Sequence, residues 1–287
     1  LAAVERVNPD ETPAVYSPDG DPGETLEFAE NETEMIAAIE KLRHAIDRAR
    51  PRPGRLRLFG FAGTLAIFVA LLVFWLPGAL VQHTVDVVPE VKRQAIGEAL
   101  LGQIDRVAGR SCSSADTVPV LSRLARRTGV RKLVILPTGV TDSAHLPGGI
   151  VLVNKSLIED HEDPAVLAGY ILVENVRRAM TDPLGRLLTF GGPMASFQLL
   201  TTGEVAPETL ESYAEHVLVA PRTDPRTELM LAEFAKAAVP TPPYAFARDV
   251  TGESVLDLIE ANPMAGQNPD PVLRDRDWVL LQNICGG

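Results

Sequence analysis

The side chains that could carry chemistry in this chain are few: five histidines, two cysteines and one glutamate within an apolar helical pattern. No histidine has a second histidine four residues away, so no helix offers the imidazole pair of zinc hydrolases. The GxSxG nucleophile elbow and the Walker and GxGxxG phosphate loops do not occur either. His161, in the run EDHED, has the neighbours most typical of a metal ligand, but such a run is also typical of a solvated turn. The other histidines are His44, His83, His145 and His216.

The two cysteines are Cys112 in RSCSSAD and Cys285 in NICGG. They lack the CxxC spacing of a zinc site. Both lie in the part of the chain that the membrane topology below assigns to an oxidising compartment, where disulfides form and persist. We therefore predict a disulfide between them, which closes a long loop and stabilises the fold by about a few kcal/mol. Two unrelated buried thiols are the alternative.

The longest apolar segment runs from Leu58 to Val81 and contains no charged residue. At about 1.5 Å per residue, a helix of this length crosses the roughly 30 Å hydrocarbon layer with some tilt. The sequence therefore predicts a single transmembrane helix over residues 58–82. A cleaved signal peptide fits less well, because the run is long, lies well inside the chain and has no small-residue cleavage site after it.

The charges beside this segment predict its orientation. The preceding stretch from Lys41 to Arg57 is strongly basic, and basic flanks are retained in the cytoplasm. We therefore expect residues 1–57 to be cytoplasmic and residues 83–287 to form an external, periplasmic domain on the inner membrane. The net charge of −11 argues against nucleic-acid binding. The predicted transmembrane helix makes the lipid bilayer the first expected partner. The chain begins with Leu1 rather than Met, which leaves open a native start upstream of it.

The N-terminal residues 1–32 are acidic and rich in Pro, Gly and Asp. The runs PAVY and TLEF are predicted to pair as a hairpin across SPDGDPGE, but a lone hairpin is marginal, so we expect a mobile segment. From Thr33, apolar residues recur at helical spacing, which predicts an amphipathic helix that ends near Pro51–Gly54. This helix rests either on the inner leaflet or on the acidic segment.

The external part is predicted to be α+β, with its strands near the middle of the sequence. Helical periodicity occurs in VKRQAIGEALLGQIDRVAG and VPVLSRLARRTG, strand patterns in KLVILP and IVLVN, and helical patterns again from Pro164 onward. The last of these, VLRDRDWVLLQNIC, places Trp278, Leu281 and Ile284 on one stripe, which predicts core packing.

The stretch from Leu146 to Leu184, LPGGIVLVNKSLIEDHEDPAVLAGYILVENVRRAMTDPL, resembles the HtpX-like and CAAX-prenyl-protease family of membrane zinc metallopeptidases, which are gluzincins. In that family a Pro-Gly-Gly turn opens an edge strand, and the next long helix carries the metal-binding H-E-x-x-H sequence. Aligned without gaps, this motif falls on residues 173–177. The resemblance covers roughly Pro89 to Cys285 and implies a mostly helical, zincin-like domain with a small β-sheet.

In this alignment Glu174 is kept, whereas Val173 and Arg177 replace both histidines. Valine has no lone pair to donate, and arginine brings a permanent positive charge to the place of a dication. A carboxylate without a metal-activated water is a poor peptidase. The resemblance therefore implies a degenerate member with no catalytic residue, no metal and no cofactor.

The third ligand of the family is a glutamate on a later helix, and TLESYAEHVL offers Glu211 for that position. A solvated helical face explains the same residue equally well. If the assignment holds, Glu211 approaches Arg177, and an ion pair of Arg177 with Glu174 or Glu211 takes the place of the metal.

The expected function is that of a membrane-anchored pseudopeptidase that binds a protein or peptide partner, with an extended chain added beside the edge strand. Two alternatives stay open. One is an active zinc metallopeptidase with non-standard ligands. The other is an accessory structural subunit of a membrane complex, for which Gly60, Gly63 and Ala66 supply a small-residue helix face.

Overall fold

The computed structural model describes residues 4–9, 11–18, 21, 23–49 and 53–286. The chain divides into two compact units, Leu1–Ala70 and Leu71–Gly287. The fold is mixed α+β and mainly helical, with one three-stranded sheet in each unit. The predicted fold class is confirmed at this level.

The first unit contains an antiparallel sheet where the sequence predicted a mobile segment. The paired runs form β2 (Ala14–Pro18) and β3 (Leu26–Phe28) as predicted, and β1 (Val4–Arg6) adds a third strand that was missed. Residues 19, 20 and 22 of the predicted turn lie outside the described residues. Three strands with an apolar face are stable where a lone hairpin is not.

The amphipathic helix is α1 (Thr33–Ala49). Its Ile36 and Ile39 pack on the sheet residues Ala14, Tyr16 and Phe28, so the helix covers the acidic segment. The Tyr16 hydroxyl donates to Glu40 at 3.0 Å, which satisfies the polar end of a fully buried ring. Arg50, Pro51 and Arg52, at the predicted end of the helix, lie outside the described residues.

A long apolar helix follows, made of α2 (Pro53–Ala70), a π-helical turn (Leu71–Trp75) and α3 (Leu76–Val87). Its stretch Phe59–Val87, 29 residues, is long and apolar enough to cross a membrane. The helix continues past the predicted end at residue 82. Val81 and Thr84 are buried in the second unit, where α3 packs on the helix α8 described below, and this packing extends the helix.

The second unit is built around a sheet in the strand order β4-β6-β5, with β4 parallel and β5 antiparallel to the central strand. β4 and β6 are the two predicted strands, but the expectation that IVLVN is an edge strand is wrong, because β5 pairs with it and makes it central. β5 was missed because its sequence SAHL has no β-branched residue. The strands are β4 (Lys132–Leu136), β5 (Ser143–Leu146) and β6 (Ile150–Asn154). Both faces of β6 are buried, one under each of two apolar clusters.

Helices surround this sheet on both faces. α4 and α5 match the two predicted helices before the strands, and the helices after Pro164 are also confirmed. Their bounds are α4 (Glu90–Val107), α5 (Val118–Arg127), α6 (Ser156–Glu159), α7 (Pro164–Met180), α8 (Pro183–Thr202), α9 (Pro207–Val219), α10 (Thr227–Ala237), α11 (Pro242–Arg248), a 3₁₀ turn (Glu253–Val255), α12 (Leu256–Glu260) and α13 (Asp275–Gln282).

The Pro-Gly-Gly turn joins β5 to β6 and packs closely on α4. A side chain at Gly148, whose φ is +70°, would collide with the backbone of Gln94. A side chain at Gly97 would collide with the carbonyl oxygen of Pro147. Glycine at both contacts therefore fixes the hairpin against the helix.

The disulfide prediction is confirmed: Cys112 and Cys285 are bonded, with their Cα atoms 5.1 Å apart. The backbone N–H of Cys112 also donates to Ile135 at 2.8 Å on the outer edge of β4. The closing helix α13 buries Trp278 and Leu281 in the core, and Ile284 follows on the same stripe, as predicted. The last helix is thereby tied to an edge of the sheet.

Candidate functional site

The central helix α7 places Glu174 in the interior of the second unit. Asp163 caps the helix by accepting from the N–H of Ala165 at 2.8 Å. Every residue from Ala165 to Val176 is buried, and Glu174 is 1% exposed. A carboxylate at that depth is stable only with bonded partners.

Two partners meet the Oε1 atom of Glu174. The hydroxyl of Ser143, on β5, donates to it at 3.0 Å, and Arg177, one turn along α7, donates through Nη1 at 2.7 Å. Arg222 places Nη1 4.0 Å from the same oxygen. The carboxylate therefore lies among one hydroxyl group and two guanidinium groups.

Arg177 is the centre of a wider ion-pair network, which we call the Arg177 network. Its Nη2 contacts Asp224 at 3.2 Å, and its Nε donates to the carbonyl of Thr223 at 3.2 Å. Asp224 in turn binds Arg248 at 2.7 Å. Four charged groups, Glu174, Arg177, Asp224 and Arg248, thus pair with one another, with Glu174 at the buried end and Asp224 at the exposed end.

The other two predicted site residues lie apart from this network. Val173 is 1% exposed and packs in the apolar cluster between α7 and the sheet. Glu211 is exposed on α9, which packs on α4 and α8. Of the two partners expected for Arg177, Glu174 forms the ion pair, and the described ion pairs of Arg177 do not include Glu211. Glu211 therefore belongs to the solvent-exposed face of α9.

His145 lies beside Ser143 on the same face of β5, because side chains two residues apart in a strand point the same way. It is 1% exposed, and within the described part of the chain neither ring nitrogen has a hydrogen-bond partner in good geometry. Burial, followed by the nearby charges of Arg178 and Arg186, lowers the pKa of His145 to about 3. The imidazole is therefore neutral at physiological pH.

The edge strand β5 is closed to strand addition at this position. All four of its residues are buried, and the carbonyl of His145 accepts from Nη2 of Arg186 at 3.2 Å. An added strand needs this carbonyl as an acceptor. A peptide can therefore pair with β5 only after Arg186 moves away.

A cavity of about 840 Å³ opens on the other side of Arg186. Its walls come from the last turns of α3, from α8, and from α9 with the segment that follows. Representative lining residues are Val81, Val85, Arg186, Phe190, Tyr213 and Arg222. The imidazole of His216 stacks on Phe190 at the cavity wall, with ring centroids 4.8 Å apart.

Among the described residues, no three His, Cys, Asp or Glu side chains come together as a set that could hold a metal. His216 is the single histidine that lines the cavity, and His145 is enclosed behind β5. A search against protein-family models finds no model that matches the chain, and a search of curated proteins finds no similar sequence.

Sequence reasoning missed Ser143, Arg186 and Arg222 in the polar interior, and Asp224 at the exposed end of the Arg177 network. The alternation of Ser143 and His145 on one side of a short strand was the available signal, but SAHL did not suggest a strand. Asp224 and Arg222 lie in the loop PRTDPRT, whose pattern is that of a solvated turn. Only the fold places them against α7.

Proposed function

We propose that this protein is a membrane-anchored domain with a degenerate, HtpX-like peptidase scaffold that acts by binding a protein or peptide partner and not by hydrolysis. The Arg177 network is the observation that carries the proposal. A hydrolytic carboxylate must be able to take a proton from water. In this chain the Oε1 of Glu174 is shared by Ser143 and Arg177 in the buried interior.

The donor chemistry at the aligned positions supports the same proposal. Val173 has no atom that can ligate a metal, and Arg177 supplies a cation. The proposed relation to gluzincins is supported by the order of the elements: a hairpin with the Pro-Gly-Gly turn, then a buried helix that carries Glu174. A scaffold of this kind can keep its fold after its chemistry is lost.

The membrane placement rests on the apolar helix Phe59–Val87 and on the basic stretch before it. In the proposed topology the N-terminal unit is cytoplasmic and the second unit is periplasmic on the inner membrane. The disulfide fits an oxidising compartment. A reporter enzyme that is active only after export, fused at Gly287, is expected to be active, and activity of a cytoplasm-specific reporter there would overturn the orientation.

The test of the binding function uses Glu174→Gln in the full chain. Glutamine can still accept from Ser143, so partner capture and activity in cells are expected to persist. Glu159→Gln, on a surface helix, is the matched control for loss of one carboxylate. Peptide cleavage by the wild type that Glu174→Gln and a chelator both abolish, with stoichiometric zinc in the purified protein, would overturn the proposal in favour of an active metallopeptidase.

A further inference from the structure

The cavity beside Arg186 combines apolar walls with positive charge. Val81, Val85 and Val217 form an aliphatic side, and Phe190 and Tyr213 an aromatic one. A volume of about 840 Å³ is within the range of small-molecule sites and is large enough for a headgroup and part of an acyl chain.

Two guanidinium groups supply the charge. Arg186 makes no ion pair with any described residue, and its Nε has no hydrogen-bond partner among them. Arg222 has a partnerless Nη1, and its nearest carboxylate oxygen is the Oε1 of Glu174, 4.0 Å away and already bonded to Arg177. Burial lowers the pKa of Arg222, because the charged guanidinium is poorly solvated there, and the charge of Glu174 opposes this effect.

The single acid that lines the cavity does not offset these charges. Asp182 binds Arg93 at 2.6 Å and caps α8 by accepting from the N–H of Leu184 at 2.8 Å. The negative charge of Asp182 is therefore already paired with Arg93 and with the N-terminus of α8. The cavity keeps an excess of positive charge that an anion would neutralise.

We infer that this cavity binds the phosphate headgroup of an anionic phospholipid, with the glycerol and upper acyl region against the aliphatic wall. This inference rests on the membrane placement proposed above. Guanidinium groups pair with phosphate oxygens through two parallel hydrogen bonds, and Arg186 and Arg222 approach the cavity from different elements. Val81, Val85 and Val217 then contact the apolar part of the same ligand.

The position of the cavity along the apolar helix selects a lipid over a soluble phosphate compound. Val81 lies about 33 Å along the helix axis from Phe59. That length is close to the roughly 30 Å thickness of the hydrocarbon layer, so Val81 and Val85 reach the headgroup level of the external leaflet. The aliphatic wall of the cavity is thus a continuation of the membrane-facing helix.

The test is a binding titration of the full chain in a neutral detergent. Dihexanoylphosphatidylglycerol is the probe, and dihexanoylphosphatidylcholine and inorganic phosphate are the comparisons. Phosphatidylglycerol is expected to bind at least about tenfold more tightly than either comparison, because only it combines net negative charge with acyl chains. Equal affinity for the two lipids would show that the cavity does not select for the negative charge of the headgroup. Equal affinity for phosphatidylglycerol and inorganic phosphate would show that the acyl chains do not contribute and that the ligand is not a lipid.

Two variants locate the site. Thr189 lines the cavity, and Thr189→Trp is designed to fill it. Thr201→Trp is the control, because Thr201 is also exposed on α8 and donates to a carbonyl four residues earlier, as Thr189 does, but does not line the cavity. Arg222→Gln removes one cation, and Arg226→Gln removes an exposed arginine of the same loop. Thr189→Trp and Arg222→Gln are expected to weaken binding by about tenfold or more, and the controls to leave it unchanged.

Unchanged phosphatidylglycerol binding in Thr189→Trp would refute the site even if Arg222→Gln fails to fold, because Thr189 is a surface residue. If the wild-type chain does not bind phosphatidylglycerol while the reporter fused at Gly287 is exported, this inference is refuted and the proposed topology is retained. Peptide cleavage that depends on Glu174 would overturn the binding function and leave the lipid site standing, because Glu174 does not line the cavity.

Discussion

Acidification is expected to destabilise the second unit through His145. The pKa of this buried imidazole is about 3 in the folded protein, against about 6.5 in an unfolded chain. Since burial depresses the folded-state pKa, the unfolded state binds the proton first. The stability is therefore full above about pH 6.5 and is lost progressively as the pH falls toward 3.

The size of the effect follows from the same two pKa values. Between them each pH unit costs about 1.4 kcal/mol, so lowering the pH from 8 to 5 removes about 2 kcal/mol of unfolding free energy. In a domain of this size, such a loss lowers Tm by roughly 4 to 8 °C. The measurement is thermal unfolding of the full chain in mild detergent, followed by near-ultraviolet circular dichroism at each pH.

His145→Gln isolates this contribution, because glutamine does not titrate. Its Tm is expected to fall by about 4 to 8 °C less than that of the wild type over the same pH range, whatever its Tm at pH 8. His161→Gln, which removes an imidazole from the charged turn before α7, is the control and is expected to follow the wild type. Parallel curves for the wild type and His145→Gln would refute the assignment of the acid sensitivity to His145.

Three further predictions concern the stability of the second unit and its metal chemistry. Replacing Cys112 and Cys285 by serine is expected to cost about 2 to 5 kcal/mol in unfolding free energy, since their separation of 173 residues leaves a long loop unclosed in the unfolded chain; a Tm within 2 °C of the wild type would contradict this. Arg177→Met alone is expected to cost about 3 to 5 kcal/mol in denaturant unfolding because Glu174 stays buried without its ion pair, and adding Glu174→Gln is expected to recover part of that loss; additive losses would count against the pair. Finally, Val173→His with Arg177→His is expected to bind no stoichiometric zinc by elemental analysis, because the expected third ligand, Glu211, is exposed on α9 and forms no described ion pair with residue 177. One zinc per chain would show that another carboxylate, such as Asp224, completes the site.

The sequence was most informative where a hydrophobic pattern and a local signal agreed. The strand IVLVN and the helix after Pro164 have both, and both form as predicted. The disulfide followed from compartment and count, without any spatial information. The apolar helix was also recognised, but its end was placed at residue 82, where the longest apolar run stops, whereas the helix continues because Val81 and Thr84 pack in a protein core.

The site was less predictable because its members come together only in the fold. Glu174 and Arg177 are one helical turn apart, so their ion pair could be anticipated from the sequence. Asp224 and Arg222 reach them from a loop more than forty residues away, and that contact depends on how α9 and α10 are placed. Glu211 shows the opposite failure, since a helical pattern cannot tell which neighbour its polar face will meet.

The continuation of the apolar helix into the second unit restricts where this protein can operate. Val81 is part of the apolar cluster that also contains residues of α8 and the sheet, so the end of the apolar helix is packed into the second unit. In the proposed topology the periplasmic unit cannot reach far from the bilayer or swing on a tether as an extracellular sensor on a long linker does. In that topology a protein partner of this unit is met at the membrane surface.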